Sequence, residues 1–165
     1  MSYDGRVNYL TGNVLSDEWY TPMNIVEFIK GITPEGLKVI CPFDTEKSNF
    51  VKVFPDSIHS ITDFMEKEYD YDICITNPPF SLRDKVIRRC LDYEKDVILI
   101  FPENAIFSVT FYNLIKEYNF KYKIYSPKKR IYFIDKEGNQ NRPNFHSIIL
   151  YISKEFSFNE LIHFE

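Results

Sequence analysis

The chain has 165 residues, 44% of them hydrophobic and 17% aromatic, and a net charge of −4. That is enough for one ordinary domain with a proper core, and the acidic balance counts against a protein that grips nucleic acid by bulk charge. No apolar run approaches the length of a membrane span, and the opening Met1-Ser2-Tyr3-Asp4-Gly5-Arg6 lacks the apolar core of a signal peptide.

Cys41, Cys74 and Cys90 are odd in number and show no metal-ligand spacing. They read as small buried residues, reduced in a cytoplasmic setting, and no metal site is expected. No repeat, linker or domain boundary is visible. A single domain over 1–165 is expected, with 1–17 as a loose polar arm.

Thr21 before Pro22 predicts a capped helix over 22–30, ended by Gly31. Residues 37–41 read as a buried strand stopped by Pro42, and 46–54 as a short helix stopped by Pro55. A minimal strand follows at 58–61, then Thr62-Asp63-Phe64-Met65. The next strand is 72–76, followed by a helix over 83–93 whose apolar face is Val86, Ile87, Cys90 and Leu91. Residues 97–101 are apolar throughout and read as a central strand. A helix at 111–118 comes next. The remainder reads as antiparallel: 122–125, 131–134, a turn at Glu137-Gly138-Asn139, then 147–153. Strands alternating with helices and closing in a hairpin predict an α/β, Rossmann-like three-layer sandwich with a mostly parallel sheet.

The densest chemical signal is Asn77-Pro78-Pro79-Phe80, directly after the apolar run Ile73-Cys74-Ile75. Two prolines stop the strand and force an extended turn, because each fixes φ, lacks an N–H and keeps the residue before it out of the α region. The Pro78 carbonyl and the Asn77 amide then form an acceptor pair beside the Phe80 ring. That arrangement suits a planar ring carrying an amino group. In parallel sheets ligands sit outside the carboxyl ends of the strands. Residues 41–44, 62–64 and 77–80 all fall at such ends.

Basic charge is concentrated locally. Arg83, Lys85, Arg88 and Arg89 follow the proline turn; Lys121, Lys123, Lys128, Lys129 and Arg130 lie within ten residues, interleaved with Tyr122 and Tyr125. Each cluster alone reads as a solvated face. Together, with one beginning at the turn, they suggest a phosphate-lined surface.

These motifs resemble the amino-directed, S-adenosylmethionine-dependent methyltransferases, particularly the small adenine-specific enzymes of phages, over most of the chain from Glu18 to Ile152. The resemblance implies that Asn77-Pro78-Pro79-Phe80 is the catalytic turn. It implies that Trp19-Tyr20-Thr21-Pro22 folds over the methionine part of the cofactor, that Ile40-Cys41-Pro42-Phe43-Asp44 is the first cofactor loop, and that Asp63-Phe64 lies beside the cofactor's adenine. Arg130-Ile131-Tyr132-Phe133 and Asn144-Phe145-His146-Ser147 are similar to the terminal hairpin of the phage group. The first loop departs from the family, which has an Asp-Pro-aromatic or glycine-rich sequence there. Either Asp44 supplies the missing acid from a shifted position or cofactor binding is weakened. The ribose-binding acid is not identifiable, with His59 and Asp56 as weak candidates.

The function so implied is methylation of the exocyclic amine of adenine in DNA, with the base flipped into the pocket. Arg83, Lys85, Lys128, Lys129 and Arg130 are the candidate nucleic-acid contacts. Nothing after Ser153 is long enough for a separate target-reading domain, which keeps RNA, including transfer RNA, open as substrate. A non-catalytic phage binding protein that kept the fold is the third reading. The oligomeric state is unassigned.

Overall fold

The computed structural model describes residues 19–141 and 145–165. Six strands form one sheet in the order β1-β2-β3-β7-β4-β8: β1 (Val39–Ile40), β2 (Ile73–Thr76), β3 (Asp96–Pro102), β7 (Ser147–Ser153), β4 (Lys121–Pro127) and β8 (Glu160–Phe164). β1, β2 and β3 are parallel, β7 is antiparallel to both its neighbours, and β8 is parallel to β4. One strand of the six is therefore reversed. The carboxyl ends of β1 to β4 and β8 share one edge.

Alternation along the strands divides the core. Ile73, Ile75, Ile98, Ile100, Ile149 and Tyr151 face one way, against Ile25, Val26 and Ile29 of α1 (Met23–Ile32) and Phe50 of α2 (Asn49–Val53). Cys74, Val97, Leu99, Phe101, Leu150 and Ile152 face the other way, against α3 (Arg83–Asp92) and α4 (Val109–Tyr118). Two helical layers on a central sheet make the three-layer sandwich that the residue pattern predicts. β3 and β7 are buried nearly throughout, as strands covered on both faces must be.

Several details differ from the sequence reading. α1 runs through Gly31 and stops after Ile32, where the Thr33 hydroxyl donates to the Ile29 carbonyl at 2.6 Å. Pro22, not Thr21, occupies its N-cap and makes no side-chain cap. The strand expected at 58–61 is a single bridge, Ile40 to Ile58. The region read as one antiparallel unit divides: β4 joins the main sheet, while β5 (Phe133–Ile134) and β6 (Gln140–Asn141) form a separate hairpin, turning at Gly138 with φ +86°. That hairpin is tied to the N-terminal segment, since Tyr20 and Ile134 exchange backbone hydrogen bonds of 2.7 and 2.9 Å. β8 was not expected. Its Phe164 ring stacks on Phe28 of α1, with centroids 3.8 Å apart.

Candidate active site

β2 ends at Thr76, and the two prolines carry the chain outward into a 3₁₀ turn (Phe80–Leu82) that leads directly into α3. Asn77 is half-buried, and its Nδ2 donates to the Thr21 hydroxyl at 3.5 Å. The side-chain oxygen is thereby left to face the other way. The Pro79 carbonyl accepts from Leu82 N–H. Pro78, between Asn77 and Pro79, is buried.

Thr21 explains the vacant helix cap. Its hydroxyl serves Asn77, and its carbonyl accepts from Asn49 Nδ2 at 2.9 Å. A residue that reads as a cap in sequence has been turned into the site.

Asp44 is buried at 8% exposure, at the carboxyl end of β1. It accepts from the Ser48 hydroxyl at 2.6 Å and the Thr76 hydroxyl at 3.4 Å. Ser48 also caps α2 by accepting from Phe50 N–H at 3.1 Å. One cleft of about 300 Å³, its open mouth included, is lined by Trp19, Tyr20, Thr21, Asp44, Thr45, Ser48 and Asn77. The catalytic-turn candidate, the N-terminal segment and the first-loop acid thus converge on a single concavity.

Other expected residues lie elsewhere. Cys41 is fully buried, and burial next to Asp44 pushes its thiol well above the usual range, so it is inert packing. Phe43 is core, with Phe64 edge-on to it at 6.1 Å. Pro42 is buried and Pro22 half-buried, and neither lines the cleft. The Asp63 carboxylate takes the Tyr69 hydroxyl, and neither Asp63 nor Phe64 reaches the cleft. The side chain of Phe80, residues 1–18 and Asn144 lie outside what the structure describes.

β4 splits the second basic cluster. Lys121 and Lys123 sit at the amino edge, where Lys123 pairs with Glu160, while Lys128, Lys129 and Arg130 are exposed at the carboxyl edge. Residues 124–127 separate Lys123 from Lys128, about 17 Å along the strand. Lys128 is paired with Glu165. Lys85 is exposed on α3. Arg83 is half-buried with its guanidinium over the Phe101 ring at 5.4 Å, and desolvation lowers its pKa.

The sequence reading missed Thr45, Ser48, Asn49 and Thr76. Ser48 had a usable signal, a Ser before an apolar pair at helical spacing. Thr76 had another, a polar residue ending an otherwise apolar strand.

A protein of Pyrococcus horikoshii provisionally described as an RNA methyltransferase is similar in structure, with TM-score 0.54 and 15% identity over 94% of this chain and 100% of its own. A TehB-like S-adenosylmethionine-dependent methyltransferase from Corynebacterium glutamicum scores 0.45, at 10% identity over 93% of this chain and 96% of its own. A Thermoplasma acidophilum protein scores 0.44, at 13% identity over 81% and 87%. The first of these likenesses fixes the class of fold as Rossmann-like α/β. No curated protein matches the chain. The family model of the adenine-specific methyltransferase EcoRI matches residues 62–147, just over half of the sequence, and the chain belongs to that family. It is a methyltransferase, and S-adenosylmethionine is its cofactor. The match spans the proline turn and the β5–β6 hairpin but not the Asp44 loop.

The residues present fit that cofactor. One buried carboxylate, the Thr21, Thr45 and Ser48 hydroxyls, an amide and the Trp19 and Tyr20 rings suit a ligand with an ammonium and a sulfonium centre. Among the described residues no helix is long and apolar enough to cross a membrane, and no side-chain cluster could hold a metal ion.

Proposed function

We propose that this methyltransferase acts on the exocyclic amine of adenine in DNA, with Asn77 and Pro78 as the groups that address the amine. The observation that carries the reading is the shared cleft, which Asn77 lines together with Asp44 and Trp19 to Thr21. Asp44 is its one carboxylate among the described residues and takes the ammonium end of the cofactor. Trp19 and Tyr20 wall the methionine part. When bound, the cofactor supplies an electrophilic methyl group on sulfur.

The amine of adenine is a weak nucleophile because its lone pair is delocalised into the ring. Asn77 Oδ1 and the Pro78 carbonyl each accept one of its N–H bonds, which favours a pyramidal nitrogen with its lone pair aimed across the cleft. Thr21 fixes the amide by accepting from Nδ2, so the oxygen need not be reoriented during the reaction. Alignment of the two reactants supplies much of the remaining rate. Phe80 stacks on the base. The base must leave its helix to enter, as for other enzymes that act on a base. Arg83, Lys85, Lys128, Lys129 and Arg130 supply the phosphate contacts. On this reading the domain described here carries both catalysis and target contact.

RNA is the second reading. It is favoured by the description of the Pyrococcus horikoshii neighbour, whose whole length this chain covers. Transfer of labelled methyl to DNA, transfer RNA and protein pools tests both. Asn77→Ala is expected to abolish transfer while S-adenosylmethionine still binds with nearly unchanged affinity by calorimetry. Retained turnover in that variant would refute the acceptor role.

A further inference from the structure

Phe107 and Val109 are 87% and 74% exposed, and Tyr112 is 61% exposed. They flank Ser108, the N-cap of α4, whose hydroxyl accepts from Phe111 N–H at 3.1 Å. With Ser108 as the cap, Phe107 and Tyr112 hold the two positions that ordinarily close as a hydrophobic staple over a helix start. Their exposure shows that this staple is open. Phe111, between them, is 2% exposed and already anchors the helix in the core. The two outer rings therefore add nothing evident to the fold, and three large apolar side chains left exposed within six residues mark a candidate contact site.

Its position ties it to the cleft. The 3₁₀ turn Glu103–Phe107 follows β3 at the carboxyl edge, and Glu103 N–H donates to the His146 carbonyl at 2.9 Å. Arg83, the first residue of α3 after the proline turn, covers Phe101, and Phe101 packs on Phe111 with centroids 5.6 Å apart. Two successive ring contacts thus lead from the Asn77 corner to the helix that carries Tyr112. The charge is also suited to phosphate. A chain with 24 Asp and Glu has no carboxylate from Asn104 to Lys116, and Lys116 Nζ stands 5.8 Å from the Tyr112 ring centroid.

Exposed rings with a cation alongside and no acid between them are what unpaired bases and their backbone take up. We infer that Phe107 and Tyr112 form a stacking platform for unpaired nucleotides flanking the target base, so that the preferred substrate is a single-stranded or locally opened stretch. This rests on the reading of the cleft as a nucleic-acid methyltransferase site. In an intact duplex the bases are stacked on one another and cannot use the platform.

The test is fluorescence anisotropy of the full chain with a labelled single-stranded DNA oligonucleotide holding one adenine, and with its duplex. The single strand binds tighter. Phe107→Ala and Tyr112→Ala each weaken its binding by about 5- to 150-fold, the range for loss of one base–aromatic stack. Phe107→Trp and Tyr112→Phe restore it, and S-adenosylmethionine affinity by calorimetry stays unchanged in all four variants. Wild-type affinity in the alanine variants overturns the platform, as does duplex binding as tight as single-strand binding, or no binding of either. So does a change of oligomeric state by light scattering with oligonucleotide affinity intact, which would make the patch a contact between copies. Ring-dependent oligonucleotide binding without methyl transfer would instead refute the adenine reading and leave the platform standing.

Discussion

Asp44→Asn isolates the charge on which the cofactor assignment turns. The substitution keeps the side chain's shape and leaves an oxygen to accept from Ser48, whose hydroxyl lies 2.6 Å from Asp44 Oδ1. Ser48 keeps its second task as the cap of α2, and the Asp44 carbonyl still accepts from Ser60 N–H at 2.8 Å. What disappears is the negative charge proposed to face the cofactor's ammonium, together with the oxygen that accepts from the Thr76 hydroxyl at 3.4 Å. A hydrogen bond to a charged group contributes about 1.5–3 kcal/mol, which is about 10- to 150-fold in affinity. Calorimetry with S-adenosylmethionine should show that loss. Methylthioadenosine, which lacks the amino-acid part, should bind the wild type and the variant alike. An S-adenosylmethionine affinity within about two-fold of wild type would refute the assignment. An equal loss for methylthioadenosine would move Asp44 to the nucleoside end.

Asp96, at the amino edge, has its pKa raised chiefly by desolvation, although the Ser153 hydroxyl donates to it at 2.9 Å. A carboxyl with a raised folded pKa favours folding below its unfolded value near 3.8 and loses that contribution as pH rises through the folded value. Asp96→Asn should therefore raise the melting temperature at neutral pH, with the gain shrinking toward acid; an equal gain at every pH would refute the titration argument. For the split basic cluster, Lys128→Ala combined with Lys129→Ala should flatten the salt dependence of oligonucleotide affinity by about one unit of log–log slope for each phosphate no longer neutralised, while Lys121→Ala leaves it unchanged. Equal slopes would place the backbone path away from this edge.

The parts of the fold legible in the sequence are those where pattern and burial agree. β3 and β7 are continuous apolar runs because both their faces are covered, and each has the expected span to within a residue. α3 was readable because Val86, Ile87, Cys90 and Leu91 repeat at helical spacing. β8 was not, because its exposed Leu161 and half-buried Ile162 and Phe164 give an edge strand neither clean alternation nor an apolar run. In the site, the proline turn announced itself through covalent geometry, which holds whatever surrounds it. Thr21 misled for the opposite reason. A Thr before Pro caps a helix unless a tertiary partner competes, and Asn77, 56 residues away, competes. Asp63 and Phe64 were expected to follow a strand over 58–61, but that strand is a single bridge at Ile58, and Tyr69 and Phe43 engage the two residues. Strand-end position alone cannot say which of several polar residues turns into a cleft.

The polar groups of the cleft also bear on why an amide, rather than a carboxylate, stands at position 77. Asp44 already places one buried carboxylate in this concavity, and its own two oxygens are engaged by Ser48 and Thr76. A second carboxylate lining the same cleft would face it across a partly desolvated space. Like charges so placed raise one pKa, leaving a fraction of the sites protonated and short of an acceptor. Asn77 avoids that cost, because a neutral amide offers the same oxygen at every pH. Its nitrogen adds a donor that Thr21 uses to set the orientation. Thr21 is held in turn by Asn49 through its own carbonyl. The Asn77 amide is thus held by a chain of hydrogen bonds running from α2 through the N-terminal segment, the same segment that is proposed to wall the methionine part. On the proposed assignment, cofactor entry and acceptor alignment are coupled through one threonine.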